Sequence, residues 1–335
     1  MRHALITGGA GFIGLHLARR LLREGWRVDL ADNFSRGARD PDLVAVLLGE
    51  RATLHEGDLR DPAFLEKVGR GYTEIFHFAA ILGVQNVLHR PFEVLEGNAE
   101  LTIAAIALAR RQAALQRLVF ASTSEVYAGT LEHFGLDLPT PERTALALPA
   151  LDRPRSSYML SKIYGEALCL HAGVPVTIVR PHNIYGPRMG MAHVVPELLK
   201  KAYTAADCDP LEVFSVRHTR TFCYIDDAVE MMLCLATAPA AAGKAVNVGT
   251  EAPELAIGRL AEIVLATVGR QLEIKPMPET EGSPARRAPD MSLCAAITGY
   301  RSVVAAEVGV AKTFAWYREH VFAAQGRALN LVPGQ

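Results

Sequence analysis

The chain opens with a short apolar run, HALITG (3–8), that ends in glycine and then gives way to a helical pattern. Phe12, Ile13, Leu15, Leu17, Ala18, Leu21 and Leu22 recur at helical spacing as far as Gly25, a residue suited to end a helix. Further apolar runs follow at RVDLAD (27–32), ATLHEGD (52–58), EIFHFA (74–79), RLVFAST (117–123) and VTIVRPH (176–182). Helical patterns lie between them near 62–68, 92–113, 156–172 and 193–204. Short, largely apolar runs suit strands buried on both faces. Their alternation with helices predicts an α/β fold, a doubly wound parallel sheet. Past residue 180 the pattern loosens. AVNVG (245–249) reads as a segment that can rejoin the sheet, 253–269 and 305–321 as helices, and the proline-rich stretch 276–290 as a loop. The predicted division is a first domain over 1–180 and a smaller C-terminal lobe over 181–335, with later segments free to rejoin the sheet.

Composition narrows the field. The chain has 335 residues, half of them hydrophobic and 21% charged, enough for a large core and too apolar for wholesale disorder. Thirty-five basic residues balance 36 acidic ones for a formal charge of -1, and no dense basic stripe is present, which argues against nucleic acid as a partner. No apolar stretch approaches the roughly 18 residues that a membrane helix needs. The five cysteines, Cys169, Cys208, Cys223, Cys234 and Cys294, form no C-x-x-C, so neither a disulfide framework nor a metal site is expected. The start of the chain carries no cleavable apolar core. A soluble, cytoplasmic protein is the expectation.

Two motifs carry chemistry. TGGAGFIG places Gly8, Gly11 and Gly14 between a strand and a helix. The first glycine permits a tight turn, the second lets a pyrophosphate approach the backbone, and the third lets helix and strand pack closely. Free N–H groups at the helix start favour phosphate. Asp32, closing the second strand, is placed to accept hydrogen bonds from an adenosine ribose, which favours NAD; Arg36 points the other way, towards a 2′-phosphate. Asp58, closing the third strand, reads as an adenine contact or a strand-end cap. SSYMLSK then puts Tyr158 and Lys162 four residues apart, on one helix face. An ordinary tyrosine of pKa ~10 is only about 0.1% ionised at pH 7. A nearby ammonium and a cationic nicotinamide ring would favour the phenolate, which can take a proton from a sugar hydroxyl as hydride leaves for NAD.

Taken in order, TGGAGFIG, DN (32–33), GDLRD (57–61), HFAA (77–80), STSEVY (122–127), YMLSK (158–162), RPHNIYGPR (180–188) and RTFCYIDD (220–227) resemble the extended short-chain dehydrogenase/reductases that act as NAD-dependent sugar-nucleotide epimerases, dehydratases and decarboxylases. The resemblance implies a Rossmann-type domain and a substrate-binding C-terminal lobe. It implies NAD contacts at Gly8, Gly11, Phe12, Ile13, Asp32, Asn33, Asp58, Leu59, Ala79, Ala80 and Pro181. Tyr158 would be the base; Lys162 would bind the nicotinamide ribose and depress the tyrosine pKa. Thr123 would hydrogen-bond the sugar C4 oxygen, and Asn183, Arg220 and Arg287 would hold the substrate. The nucleotide-diphosphate sugar is the implied partner. The helices near 99–113 and 158–172 resemble the pair that builds a four-helix homodimer interface.

Once C4 is a ketone, three outcomes diverge: reduction on the other face, removal of the C5 proton, or loss of a C6 carboxylate as carbon dioxide. Epimerisation at C4 or C5 of an NDP-hexose or NDP-hexuronate is the leading expectation, with UDP-glucuronate decarboxylation, 4,6-dehydration and a non-catalytic NAD-binding regulator as alternatives. Glu125 pulls towards C5 chemistry or decarboxylation; its structural alternative is a helix-start partner. Ser124 stands where thymidine-sugar dehydratases usually show an aspartate. His77 reads as a packed core histidine.

Overall fold

The computed structural model describes residues 1–280 and 283–323. In chain order its elements are β1 (His3–Thr7), α1 (Phe12–Arg23), β2 (Arg27–Asp32), α2 (Pro41–Leu47), β3 (Ala52–Glu56), α3 (Pro62–Val68), β4 (Glu74–His77), α4 (Val84–His89), α5 (Pro91–Arg110), β5 (Arg117–Ala121), α6 (Ala128–Phe134), α7 (Ser156–Leu170) and β6 (Val176–Pro181). There follow β7 (Ile184–Tyr185), α8 (Val194–Thr204), β8 (Leu211–Phe214), β9 (Thr219–Arg220), β10 (Cys223–Tyr224), α9 (Ile225–Thr237), β11 (Lys244–Val248), β12 (Leu255–Ala256), α10 (Ile257–Val268), β13 (Ile274–Met277), β14 (Arg286–Arg287), α11 (Ser292–Thr298) and α12 (Ala306–Tyr317).

Two compact units divide these residues. The first comprises 1–182, 228–248 and 289–301. Among its described residues, seven strands form one sheet in the order β11-β6-β5-β4-β1-β2-β3. Every pairing in it is parallel. This is the doubly wound Rossmann-type arrangement, and the order reverses between β1 and β4, where such folds bind nucleotides beyond the strand ends. Leu5, Ile6, Ile75, Phe76, Leu118, Val119, Phe120 and Ile178 are wholly buried along the central strands. Two short helices are started by aspartates: the side chain of Asp40 accepts from Leu43 N at 2.9 Å, and that of Asp61 from Ala63 N at 2.9 Å, each followed by a proline at the first helical position. Gly165 decides how α7 lies on the sheet. A Cβ there would fall 2.5 Å from the Phe120 ring, so only glycine lets α7 come this close to β5.

The second unit comprises 183–227, 249–288 and the residues from 302 on. Among its described residues are three small sheets: β7 beside β10, β12-β9-β14, and β8 beside β13. Helices α8, α10 and α12 belong to it. The proline-rich stretch expected as a loop over 276–290 contains β14, two residues that pair in parallel with β9. Pairing rather than periodicity makes that strand, which is why the composition did not show it. The residues 281–282 of that stretch, and the end of the chain past 323, lie outside the described residues.

Candidate active site

The glycine turn is tight because its atoms leave no room. Gly8 has φ of +71°, a conformation costly for a side chain, and its N–H donates to Ala31 O at 2.8 Å. A Cβ on Gly14 would lie 2.4 Å from Gly8 O. Gly11 stands at the N-cap of α1 with no side chain to offer the helix start. Asp32, buried, accepts from Ala10 N at 3.0 Å and Phe34 N at 2.8 Å, so one carboxylate binds the glycine turn to the loop after β2. This cradle, with donors at the helix start and a carboxylate at the next strand end, fits a dinucleotide. Asn33 donates to Asp58 at 3.1 Å. Asp58 also holds Arg60, whose guanidinium brings its carboxyl down to about 2. Asp58 also accepts from Arg60 N at 2.9 Å, the local cap among its two expected roles. Leu59 is buried; Phe12, Ile13, Ala79, Ala80 and Pro181 are half-buried, and Ala79 N donates to Thr7 Oγ1 at 3.3 Å.

Where β5 ends, a short helical turn begins. Thr123 caps it, its hydroxyl accepting from Glu125 N at 3.2 Å. The Thr123 side chain also hydrogen-bonds Tyr158, and Glu125 is near enough for its charge to act on that phenol. Lys162, 4% exposed, lies one turn along α7 with its ammonium 5.8 Å from the Tyr158 ring centroid. The four expected catalytic residues, Thr123, Glu125, Tyr158 and Lys162, are therefore together.

Burial dominates their electrostatics in the protein alone. Burial pushes the Tyr158 hydroxyl up to about 12, and the Glu125 carboxylate adds to the rise; Thr123 and Arg36 oppose it. Lys162 is not among the groups that act on the phenol in the protein alone. Its Nζ donates to Ala121 O at 2.8 Å, and burial brings the ammonium itself down to about 8. The charge of Arg36 favours the Tyr158 phenolate, and burial lowers its own guanidinium. His77 is the expected core histidine: wholly buried, bonded to Thr7 Oγ1 at 2.8 Å and held neutral, down to about 3, by desolvation.

The second unit holds the remaining candidates. Asn183 has φ of +44° and donates to Thr221 O at 3.0 Å. Arg220 and Arg287 face one another in register on β9 and β14. Arg220 is buried and donates to Thr219 O at 2.7 Å and Ser283 Oγ at 2.9 Å. Sequence reasoning missed a buried polar group around Glu166 and Arg180. The signal available was Glu166 itself, one helical turn beyond Lys162.

Residues 4–249 match the model of the NAD dependent epimerase/dehydratase family. The chain belongs to that family. The cofactor of the family is NAD, in agreement with the cradle described above. A UDP-N-acetyl-alpha-D-glucosaminuronate decarboxylase of Bacillus cytotoxicus is 31% identical over 95% of this chain and 98% of that protein. UDP-glucuronic acid decarboxylase 1 of Xenopus tropicalis is 31% identical over 96% of this chain and 73% of that protein. Among solved structures, a double mutant of the dTDP-glucose 4,6-dehydratase DesIV from Streptomyces venezuelae, with NAD and DAU bound, is 27% identical, with TM-score 0.81 over 96% of this chain and 98% of that one. Among the described residues no helix is long and apolar enough to cross a membrane, and no group of histidine, cysteine and carboxylate side chains could hold a metal ion.

Proposed function

We propose that the chain decarboxylates a UDP-hexuronate through transient oxidation at C4. The observation that carries this reading is the Thr123 side chain, which accepts from Glu125 N and hydrogen-bonds Tyr158, so that a carboxylate and a phenol stand at one hydroxyl. Bound NAD would take hydride from the sugar and give it back. Tyr158 takes the proton of the C4 hydroxyl, Thr123 orients that oxygen, and Lys162 holds the nicotinamide ribose. The resulting ketone lies β to the C6 carboxylate. The C5–C6 bond then breaks, carbon dioxide leaves, and the electron pair moves into the C4 carbonyl. Tyr158, protonated at that stage, hydrogen-bonds the developing enolate oxygen. A proton returns to C5, with Glu125 guiding it. Arg220 and Arg287 are suited to the diphosphate or the carboxylate, since an arginine fork binds either. Asn183 would hold the sugar or phosphate. Gly8, Gly11, Phe12, Ile13, Asp32, Asn33, Asp58, Leu59, Ala79, Ala80 and Pro181 would line the cofactor.

Both relatives named above are decarboxylases, and that moves the preferred outcome from epimerisation to decarboxylation within the same C4 chemistry. The test is a panel of UDP-glucuronate, UDP-N-acetylglucosaminuronate, UDP-galactose and dTDP-glucose, read by mass spectrometry. Loss of carbon dioxide from a hexuronate is expected. An isomer of unchanged mass would turn the reading to epimerisation, and loss of water to dehydration.

We further propose a cytoplasmic homodimer. Phe92, Leu95 and Ile103 on α5 and Tyr164 and Leu170 on α7 are exposed, while the two helices are joined by an Asn98–Ser161 hydrogen bond of 3.2 Å. A second copy of the same pair would cover them as a four-helix interface. Ile103→Glu is expected to give monomers in sedimentation at micromolar concentration. Wild-type protein that sediments as a monomer would remove the dimer.

A further inference from the structure

We propose that the buried Glu166–Arg180 pair, with Ser122 and Tyr127 bonded to it, is the positioning unit of this active site, locking α7 to the ends of β5 and β6. It rests on the reading of Tyr158 and Lys162 as the reacting pair. Arg180 grips Glu166 with a fork: Nε to Oε1 at 2.9 Å and Nη2 to Oε2 at 2.6 Å. Ser122 donates its hydroxyl to the same Oε1 at 2.5 Å, and Arg180 Nη1 donates to the Tyr127 hydroxyl at 2.8 Å. Tyr127 in turn donates to Asn247 Oδ1 on β11 at 3.1 Å. The two charged side chains are only 6% and 7% exposed.

What these residues adjoin gives the network its meaning. Glu166 lies one turn beyond Lys162 and two beyond Tyr158 on α7. Ser122 immediately precedes Thr123, and Tyr127 closes the turn that carries Glu125. Arg180 immediately precedes Pro181. Each arm of the network thus ends next to a residue of the site. A buried ion pair adds little to stability over apolar residues of the same volume. A two-bond fork does fix angle as well as distance. Displacement of a reacting group by about 1 Å can cost ~10²-fold in rate. The pair also bears on Lys162 directly. Among the groups that act on that ammonium, His77 on β4 is held neutral and burial pushes Cys169 on α7 up to about 12, while the Glu166 carboxylate supports the charge.

The double variant Glu166→Gln/Arg180→Met removes both charges at similar volume and so leaves no orphaned ion. It is expected to fold with NAD bound and to keep KM for UDP-glucuronate within about threefold, while kcat falls ~10²-fold. The titration of Lys162, followed by carbon NMR and assigned with Lys162→Met in the absence of any sugar nucleotide, is expected to move below about 8, because of the two charges removed only that of Glu166 acts on the ammonium. A merely structural pair would lower thermal stability without separating kcat from KM. If the double variant does not fold, Arg180→Lys and Ser122→Ala carry the test. Each keeps the Glu166 charge, and each is expected to lose at least about tenfold in kcat at unchanged KM. Wild-type kcat in the folded variants overturns the positioning role. Tyr158→Phe is the control: turnover that survives it defeats the functional reading, whereas turnover abolished by it beside wild-type kcat in the network variants defeats the positioning role alone.

Discussion

Around Asp29 on β2, the polar neighbours favour the charged form of the carboxylate; around Tyr158 and Lys162 on α7, burial disfavours the charged form of each. Asp29 accepts from Tyr72 at 2.9 Å and is bonded to His3 at 3.0 Å and His55 at 2.9 Å. Burial opposes its charge, yet these partners hold the carboxyl well below the usual carboxylate range. Tyr158 stands up at about 12 and Lys162 down at about 8, both chiefly through desolvation. The two clusters belong to one folded unit and use the same residue classes. The first is satisfied by its own neighbours and serves the fold. The second carries shifts set by burial, the kind of perturbation that the proposed chemistry would draw on.

The sharpest way to break this contrast is Tyr158→Phe. It is expected to lower kcat by about 10³-fold with little change in melting temperature, measured by turnover and by thermal unfolding. Glu125→Gln comes next, with a loss of about 10²-fold on a hexuronate. It removes the carboxylate that raises Tyr158, so the phenol should titrate below about 12 when followed by tyrosine carbon NMR. An unmoved phenol would mean that the two groups do not act on one another.

Asp29→Asn tests the other side. It is expected to cost about 2 kcal/mol in urea unfolding at pH 7 while leaving kcat and KM untouched. The pH dependence has a definite sign. Because the folded-state value lies below the ordinary 3.8, the contribution is complete above about pH 4 and is lost as pH falls further. The wild type should therefore weaken steeply below pH 4, and the asparagine variant less so. The smallest effect belongs to the exposed Lys275–Glu212 pair at 3.0 Å: Lys275→Ala should change stability by less than about 0.5 kcal/mol, and any larger loss would contradict the view that exposed pairs matter little here.

Much of this was open to reading in one dimension. The strands of the parallel sheet fall within about two residues of the apolar runs, because burial on both faces leaves a mark that needs no partner to recognise. The glycine turn and the Tyr158–Lys162 spacing are local too. What escaped depends on contacts distant in sequence. Helix α9 was not picked out, and β14 exists only through β9. Arg36 reaches Tyr158 through a loop whose Phe34 has φ of +57°, a bend that no periodicity announces. The upward push that burial gives Tyr158 in the protein alone depends on depth in the fold, which spacing along α7 does not reveal. Glu166 and Arg180 meet only once α7 has folded back along β6.

Strand β11 has a practical consequence for anyone cutting the chain. It pairs with β6 from Lys244↔Thr177 to Val248↔Pro181, after an excursion of some sixty residues. A fragment ended at His182 would lose that cover and present the β6 backbone as a bare ladder of donors and acceptors. Such a fragment is expected to recruit other chains to that ladder and precipitate, whereas the same fragment with β11 restored through a short artificial connection would stay dispersed.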